Sequence, residues 1–352
     1  MNNIRSLLMP RHINEIIYPA SHFSRRFLRF VPPLKSKTQG STKRCDITII
    51  GAPNVGKSVL LNCLVGTHVA AANRKAHTTR RQILGVFNFK TTQLAFYDTP
   101  GFIPSINARK KEQIGLRQEM EAAVAETDIV LLVVDAARRL TEKYDFEFVE
   151  MTKLAFAGAK KEVILVLNKV DLVEPKDLLL DVVEKYVSLI NGVKYKPEEA
   201  HLAQLDTTTF MISALTDDGV IDLKNYLLAS ASFKPWILPK EKGSTNMTDE
   251  ELVQEIVYEK LLENVHDEIP HRAIIECTNI SDLTPTRIQL NVSIKVENSR
   301  QVKIIVGHQG RGLLKIRQAA SRLLQAMLHK DIILELSIEA GDDSNDGGKD
   351  DN

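Results

Sequence analysis

The stretch GAPNVGKS, residues 51–58, separates a short apolar run from an apolar segment with helical spacing. It matches the pattern G-x-x-x-x-G-K-[ST], whose glycines let backbone N–H groups turn inward toward phosphate oxygens. The amino end of the following helix adds its positive dipole to the same loop. Such a loop requires a strand before it and a helix after it, so the stretch predicts an α/β domain built around a bound phosphate.

Strand and helix patterns continue to alternate through residue 232. The runs IVLLVVDA and VILVLNKVD are apolar throughout, as in strands that are buried on both faces of a sheet. The segment between them has helical spacing, and TFMISAL predicts a sixth strand. We therefore expect an α/β P-loop domain over residues 45–232, with a doubly wound and mostly parallel sheet.

Side chains near the loop indicate which parts of a nucleotide it binds. We expect Lys57 to reach the β- and γ-phosphates and the hydroxyl of Ser58 to ligate Mg²⁺. Asp98, in DTPG, ends a predicted strand and would hold the metal through water, while the Gly101 amide would meet the γ-phosphate. In AHTTRR one threonine, Thr79, would complete the metal shell in the triphosphate state, although each threonine taken alone is better explained as structural.

The sequence NKVD, residues 168–171, follows a buried strand and indicates the base. The carboxylate of Asp171 can accept two parallel hydrogen bonds from the N1–H and N2–H₂ groups of guanine, a donor pair that adenine lacks. We expect Asn168 to support this contact and the stem of Lys169 to lie across the base. The backbone amides of SAL, residues 213–215, would close over the guanine O6 atom. The set predicts GTP and disfavours ATP.

A second module follows a polar break that contains prolines. Thr248, with Glu251 three residues later, predicts the start of a helix. Two strands, a third strand at QVKIIV, a tight turn, a helix and a last strand come next, which we summarise as a small α+β module of order α-β-β-α-β over residues 251–339. Residues 233–250 are a predicted linker, and the acidic stretch 340–352 is predicted to be disordered.

The stretch VGHQG contains the pattern G-x-x-G, which allows an RNA backbone to approach closely where a Cβ atom would clash. From Arg300 to Lys330 the chain has seven Lys or Arg residues and no acid, a patch suited to phosphate groups. The pattern by itself would describe a simple turn followed by a solvated helix face. In its setting it predicts an RNA-binding surface formed by Gly307, His308, Gln309, Gly310, Arg311 and Lys315.

The combination of GAPNVGKS, HTTR, DTPG, NKVD and SAL resembles the Era family of GTPases, within the group that also contains TrmE and Der. The resemblance covers residues 46–339 and implies that the second module is a KH domain of type II. Der is the weaker match because only one G domain is present. The family resemblance implies GTP-controlled binding to small-subunit ribosomal RNA near its 3′ end, in support of small-subunit assembly. His308 and Gln309 depart from the family's G-x-x-G loops, which often hold basic residues or glycine.

The resemblance also has implications for hydrolysis. Ras-like GTPases place a Gln after the Gly of the third motif to orient water, whereas this chain has Phe102. Some related GTPases bind K⁺ through an Asn in the P-loop, here Asn54, so we expect slow hydrolysis that K⁺ stimulates. The residues expected to act in hydrolysis are Asn54, Lys57, Thr79, Asp98 and Gly101. The residues expected to contact the nucleotide are Gly51, Pro53, Asn54, Val55, Gly56, Lys57, Ser58, Val59, Asn168, Lys169, Asp171, Ser213, Ala214 and Leu215.

Residues 1–44 carry nine Lys or Arg residues and one acid, with phenylalanines among the arginines. This composition is typical of a mitochondrial transit peptide, and a disordered basic arm that touches nucleic acid is the alternative. With this head the chain resembles the mitochondrial members of the Era family. We therefore expect a monomer in the mitochondrial matrix that binds the mitochondrial small ribosomal subunit and its rRNA. No run of about 18 apolar residues predicts a transmembrane helix, and a peripheral contact with the inner membrane stays open.

Two other functions fit the same residues. One is a GTPase switch whose partner is a protein, with the KH-like module used only for docking. The other is a passive RNA chaperone in which the nucleotide only stabilises the fold. If the module is used only for docking, charge reversal at Arg311 and Lys315 would leave function intact, whereas it would impair RNA binding. A variant of Asn54 or Thr79 that binds GTP without hydrolysing it would test the second.

Overall fold

Two sheets, each packed against helices, organise the part of the chain that the computed structural model describes. The described residues are 42–70, 83–99, 111–138, 141–156, 161–194, 207–240, 243–265 and 269–341. The strands are β1 (Lys43–Gly51), β2 (Ile83–Phe89), β3 (Thr92–Asp98), β4 (Ile129–Asp135), β5 (Glu162–Asn168), β6 (Thr209–Met211), β7 (Ser232–Phe233), β8 (Ile274–Thr284), β9 (Arg287–Val296) and β10 (Asp331–Ala340). The helices are α1 (Lys57–Val65), α2 (Lys111–Ala125), α3 (Glu142–Ala155), α4 (Leu178–Lys194), α5 (Val220–Ala229), α6 (Asp249–Asn264), α7 (Ile269–Arg272), α8 (Ser299–Val306) and α9 (Arg311–Leu328).

Residues 1–41 and 342–352, which hold most of the predicted transit peptide and of the predicted acidic tail, lie outside the described residues. Within the described ranges, none of the helices has both the length and the apolar character that crossing a membrane would require.

The first sheet has the strand order β2–β3–β1–β4–β5–β6. Strands β1, β3, β4, β5 and β6 run parallel, while β2 pairs antiparallel with β3. The apolar runs of β4 and β5 are almost entirely buried, and the predicted α/β domain with a mostly parallel sheet is confirmed. Because parallel strands end at the same edge of a sheet, the register places Asp98 beside Ile49 and Asn168 beside Asp135. DTPG and NKVD therefore begin at the edge where the phosphate loop begins.

Parts of the first domain differ from the sequence prediction. Strand β6 is shorter than TFMISAL, because only Thr209–Met211 pair with β5. Ser213 instead exchanges backbone hydrogen bonds of 3.0 and 3.1 Å with Asp218, so SAL lies in a turn beyond the strand. Helices α2 and α4 were not predicted. Helix α4 is held by an apolar face that buries Tyr186 and Ile190, four residues apart.

The predicted linker, residues 233–250, is hydrogen-bonded to the first sheet. Gln93 is fully buried, and its amide donates to the Leu238 carbonyl at 2.9 Å. The same side chain accepts from the backbone N–H groups of Ile237 at 2.8 Å and Leu238 at 3.4 Å. The indole of Trp236 donates to the Thr91 carbonyl at 3.2 Å. The side chain of one buried glutamine thus satisfies backbone N–H and C=O groups of this segment, which would otherwise need a neighbouring strand as their partner.

The second module has a three-stranded sheet with β9 in the centre, antiparallel to β8 and parallel to β10. Helix α6 begins at the capping box that the sequence predicted, in which Thr248 and Glu251 each bond the other's backbone. The core of the module joins α6, α9 and one face of the sheet through apolar residues such as Val253, Leu290 and Ile316. The G-x-x-G turn, which leads into α9, is therefore carried on a core that α6 shares.

QVKIIV was predicted as a strand, and this prediction is wrong, because Ser299–Val306 forms helix α8. The side chain of Asn298 accepts a hydrogen bond from the Gln301 backbone at 3.0 Å, and Gln301 accepts one from the Glu297 backbone at 3.0 Å. This reciprocal cap outweighs the strand preference of the apolar β-branched residues. The G-x-x-G turn consequently joins two helices, and the module has α7 and α8 in addition to the predicted elements.

We predict that replacing Gln93 by Met lowers the free energy of unfolding by about 2–4 kcal/mol. Methionine keeps the volume but removes the acceptor of the Ile237 and Leu238 N–H groups and the donor to the Leu238 carbonyl. A buried polar group left without a partner costs about 1–3 kcal/mol. Denaturant titration followed by fluorescence suits this test, since Trp236 is the single tryptophan of the chain. Gln118, exposed on α2, provides the control Gln118→Met. Equal stability of the two variants would contradict the role given to Gln93.

Candidate guanine-nucleotide site and nucleic-acid interface

The phosphate loop has the shape that its glycines allow. A Cβ atom on Gly51 would lie 2.4 Å from the Val133 carbonyl oxygen, so a side chain there would push β1 and β4 apart. Gly56 has a φ of 96°, and a Cβ atom on it would lie 2.4 Å from the Asn168 side chain. The loop is thus packed against the neighbouring strand ends. Of its remaining residues, Pro53 is partly exposed, and Val59 packs against the core of the domain.

Lys57 lies inside this loop, and no carboxylate of the described residues forms an ion pair with it. Its residue is 7% exposed, and its Nζ atom donates to the carbonyl oxygens of Gly51 at 3.1 Å and Ala52 at 3.2 Å. Burial lowers the pKa of Lys57, and the charge of Asp98 opposes that shift. A buried cation held only by carbonyl oxygens is suited to receive phosphate oxygens.

The ends of the loop and of β3 form an acceptor site. The Ser58 hydroxyl donates to Oδ2 of Asp98 at 2.8 Å, and Asp98 is fully buried. The other carboxylate oxygen, Oδ1, has no hydrogen-bond partner among the described residues. Burial raises the pKa of Asp98 to about 6, while Lys57, Ser58 and the Thr99 N–H act to lower it. A hydroxyl beside an unpartnered carboxylate oxygen fits the oxygen ligands that Mg²⁺ prefers.

Asn168 connects three parts of the site. Its amide nitrogen donates to the Val55 carbonyl at 2.8 Å, and its oxygen accepts from the Ala214 backbone at 3.0 Å. The residue is 2% exposed, so both hydrogen bonds are shielded from water. The phosphate loop, NKVD and SAL are therefore held by one side chain, as expected of a supporting residue.

The residues predicted to read the base lie around this junction. Oδ1 of Asp171 is buried and lacks a hydrogen-bond partner in the described part of the chain. This fits a carboxylate that accepts hydrogen bonds from the N1–H and N2–H₂ groups of guanine. Ser213 is buried beneath the turn, whereas Leu215 is 77% exposed at its tip. Thr79, Gly101 and Phe102 lie outside the described residues.

Asp135 is a site residue that the sequence analysis missed. Nζ of Lys169 donates to Oδ2 of Asp135 at 2.7 Å and to the Asn54 carbonyl at 2.6 Å. Asn54 and Lys169 both have left-handed backbones, with φ of 65° and 66°. Asp135 thus fixes the head of the lysine whose stem was predicted to lie across the base. The available signal was its place at the end of IVLLVVD, one strand from Asn168.

The G-x-x-G turn lies between α8 and α9. Gly307 and Gly310 have φ of 68° and 75°, and His308 and Gln309 between them are exposed. A Cβ atom on Gly310 would meet nothing within 4 Å, so its surroundings are open. The sequence analysis missed Gly312, where a Cβ atom would lie 2.4 Å from the Ile305 carbonyl oxygen. Gly312 therefore allows α9 to pack closely against α8. This is a packing role, separate from the conformation of the G-x-x-G turn.

The basic patch of the second module is largely free of acidic partners. Lys330 forms an ion pair of 2.6 Å with Asp282. The other six cations are exposed and have no ion pair with a described carboxylate: Arg300, Lys303, Arg311, Lys315, Arg317 and Arg322. Unpaired cations beside an open turn favour contact with a polyanion.

We predict that replacing Asp135 by Asn weakens GTP and GDP binding by about 5- to 20-fold. The change keeps the shape but removes the charge opposite Lys169. A hydrogen bond to a charged group contributes about 1.5–3 kcal/mol, and because the Lys169 side chain is 30% exposed, water reduces this to about 1–2 kcal/mol. Titration with a fluorescent GDP analogue measures the change. Asp145→Asn is the matched control, because Asp145 pairs with Lys185 at 2.7 Å between α3 and α4. Similar affinities in wild type and Asp135→Asn would show that Lys169 needs no partner.

Two family models match this chain. One, described as a 50S ribosome-binding GTPase, matches residues 46–169, and the other, described as a KH domain, matches residues 268–342. The first range contains the phosphate loop and ends within NKVD. The second contains the sheet of the second module and the G-x-x-G turn.

Whole proteins match along most of the chain. GTPase Era of Brucella melitensis is 32% identical over 318 residues, which are 88% of this chain and 94% of that protein. GTP-binding protein ERG of Arabidopsis thaliana is 33% identical over 303 residues, which are 84% of this chain and 65% of that protein. A crystal structure of Era in complex with MgGDPNP and nucleotides 1506–1542 of 16S ribosomal RNA has a TM-score of 0.71 and 27% identity, covering 86% of this chain and 95% of that chain. The chain therefore belongs to the Era family of GTPases, enzymes that hydrolyse GTP, and consists of a P-loop domain followed by a KH domain.

Proposed function

We propose that this GTPase uses its nucleotide to control binding of the KH domain to mitochondrial small-subunit ribosomal RNA near the 3′ end, and so assists assembly of the small subunit. The observation that carries the proposal is the open G-x-x-G turn beside six exposed cations that form no ion pair with any carboxylate of the described residues. The similar Era structure, which holds both MgGDPNP and 16S ribosomal RNA, supports it. GTP binding and RNA binding then belong to one molecule with two domains.

The nucleotide site supplies the controlling reaction. Lys57 would bring its buried charge to the β- and γ-phosphates, and Asp171 would select guanine. Ser58 and Asp98 would hold Mg²⁺, which supplies positive charge to the phosphate oxygens during hydrolysis. Asn168 keeps the phosphate and base contacts at a fixed separation, since it bonds both segments. GTP and GDP differ only at the γ-phosphate, so any preference of the protein for RNA in one state must arise there.

Asn54 is the residue through which we propose that K⁺ acts. It is exposed in the loop, and its carbonyl is held by Lys169 at 2.6 Å. Phe102 stands where a water-orienting Gln would be, and it has no hydrogen-bonding group. A cation at Asn54 would supply the positive charge that an arginine provides in other GTPases.

The compartment is proposed from composition. The basic, acid-poor head of residues 1–44 favours import into the mitochondrial matrix. The ribosomal RNA available to the KH domain would then be that of the mitochondrial small subunit. A peripheral contact with the inner membrane is compatible with this location.

We predict that GTP hydrolysis is faster in K⁺ than in Na⁺ at equal ionic strength. An increase of about 10-fold is expected, well below the effect of an arginine finger. Phosphate release measured in the two salts tests this for wild type and for Asn54→Ala, which should lose the difference. Equal wild-type rates in the two salts would rule out the K⁺ role without affecting the rest of the proposal.

We predict that crosslinking of the protein to RNA in its own cells, followed by sequencing, gives a peak near the 3′ end of mitochondrial small-subunit ribosomal RNA. The peak should be lost in a Gly307→Asp, Gly310→Asp double variant, because two carboxylates would face the phosphates. Gly310→Asp alone adds one charge in open space, at a φ of 75° that aspartate adopts more readily than most side chains, and so limits the risk of a folding defect.

The matched control for this experiment is Gly192→Asp. Gly192 is exposed on α4 of the G domain, and a Cβ atom there also meets nothing within 4 Å. It should leave the RNA peak in place. A scattered signal that none of these variants changes would remove RNA as the partner and favour a protein in its place.

A further inference from the structure

Helix α6, the first helix of the second module, contacts the G domain through a buried polar pair. Nε2 of His68 lies 2.8 Å from Oε2 of Glu259, and the two side chains are 17% and 5% exposed. His68 belongs to the loop after α1, whereas Glu259 lies in the middle of α6. Neither His68 nor Glu259 is among the residues expected to contact the nucleotide or the RNA.

On the G-domain side, His68 is oriented by α1. Nδ2 of Asn62, a residue of α1, lies 3.3 Å from Nδ1 of His68. When Nδ1 accepts this hydrogen bond, Nε2 carries the proton and faces Oε2 of Glu259 across 2.8 Å. Asn62 also accepts from the backbone of Val69 at 2.8 Å and of Ala70 at 3.0 Å, so the described first part of the loop, up to Ala70, is attached to the helix. Helix α1 begins at Lys57, the lysine expected to bind the phosphates.

On the other side, Glu259 has a second cation. Nζ of Lys260 lies 2.7 Å from Oε1 of Glu259 and 2.8 Å from Glu263. Burial by itself raises the pKa of Glu259, but the hydrogen bonds and charges of His68 and Lys260 outweigh it and hold the pKa below its ordinary value. The buried carboxylate is therefore ionised, and losing His68 would leave one oxygen without that partner.

Helix α6 is also attached to the G domain where the chain enters it. The Val86 N–H of β2 donates to the Ser244 carbonyl at 2.7 Å, and the Thr245 hydroxyl donates to the Leu84 carbonyl at 2.9 Å. Within the second module, Val257 and Leu261 of α6 belong to the same core as residues of α9, the helix that starts at the G-x-x-G turn. A displacement of α6 therefore moves α9 with it, because packed cores transmit strain.

We infer that the His68–Glu259 pair is the positioning contact through which the nucleotide state of the G domain sets the orientation of the RNA-binding turn. This inference rests on the proposed function for its RNA readout. The pair forms a continuous route from the phosphate loop through α1, Asn62, His68 and Glu259 to α6. Because a displaced His68 would take away the contact that Oε2 of the buried Glu259 makes with the G domain, movement of its loop is passed to α6 instead of being absorbed between the domains.

The test uses the full chain and a synthetic RNA with the 3′-end sequence of the mitochondrial small-subunit rRNA. The ratio of the two RNA affinities, with a non-hydrolysable GTP analogue and with GDP, is measured for wild type and for His68→Ala. We expect a wild-type ratio of about 5–150 and a ratio near 1 for the variant, the range typical of allosteric coupling. Hydrolysis without RNA should not change, since Lys57, Asp98 and Asn168 keep their contacts.

Two variants distinguish coupling from loss of structure. His68→Gln can still donate to Glu259 and should restore much of the ratio, while Glu259→Gln keeps the shape of the side chain and should lower it. Lys153→Ala removes an exposed ion pair of 2.7 Å with Glu150 and serves as the control that changes nothing. An unaltered ratio in His68→Ala and Glu259→Gln would overturn the inference, as would a wild-type ratio of 1.

A second readout does not depend on RNA. Hydrogen exchange of the backbone amides of α6 is compared between the GTP-analogue and GDP states. We expect a difference in wild type that disappears in His68→Ala, and no difference in wild type would overturn the inference. Protein that shows this difference but binds no RNA would instead overturn the proposed function and leave the positioning contact intact.

Discussion

The pair of hydrogen bonds made by Asn168 is the interaction on which the nucleotide site depends. Its side chain reaches the Val55 carbonyl in one direction and the Ala214 backbone in the other, at a position 2% exposed. Without it, one carbonyl and one N–H group would be buried without partners, at a cost of about 1–3 kcal/mol each. Gly56 is the complementary requirement, since any Cβ atom there would displace the asparagine. Loop and base-binding segments are thus fixed by two residues 112 positions apart in the chain.

Residues that local chemistry defines could be predicted from the sequence. A few neighbouring residues are enough to recognise the phosphate loop, the carboxylate of Asp98 and the sequence NKVD. Their assembly at one edge also follows from the sequence, because buried apolar runs predict parallel strands whose carboxyl ends coincide. The capping box of α6 was predictable for the same reason, since both of its residues lie within one turn.

Residues whose partners are distant could not be predicted in the same way. Asp135 acquires its role from Lys169, which the fold brings within 2.7 Å. The segment now called α8 has the apolar, β-branched composition of a strand, and its helical state depends on the cap at Asn298. The ordered linker depends on Gln93, a polar residue in an apolar strand that gave no sign of its partners. For Asp135 and the linker the partner comes from tertiary structure, whereas in α8 a local cap overrides the strand preference of the composition.

The buried carboxylates of this protein differ in what satisfies them. Glu259 is matched by His68 and Lys260, so its charge is compensated within the fold. Asp98 and Asp171 each retain a buried oxygen that no described residue bonds. In the function that we propose, these two oxygens gain their partners when nucleotide binds, so the ligand would stabilise the G domain by mass action. Glu259 joins α6 to the loop after α1, whereas Asp98 and Asp171 lie among the residues predicted to hold Mg²⁺ and guanine. On this proposal nucleotide binding acts first on the G domain, and the second module senses it through the pair that His68 and Glu259 already form.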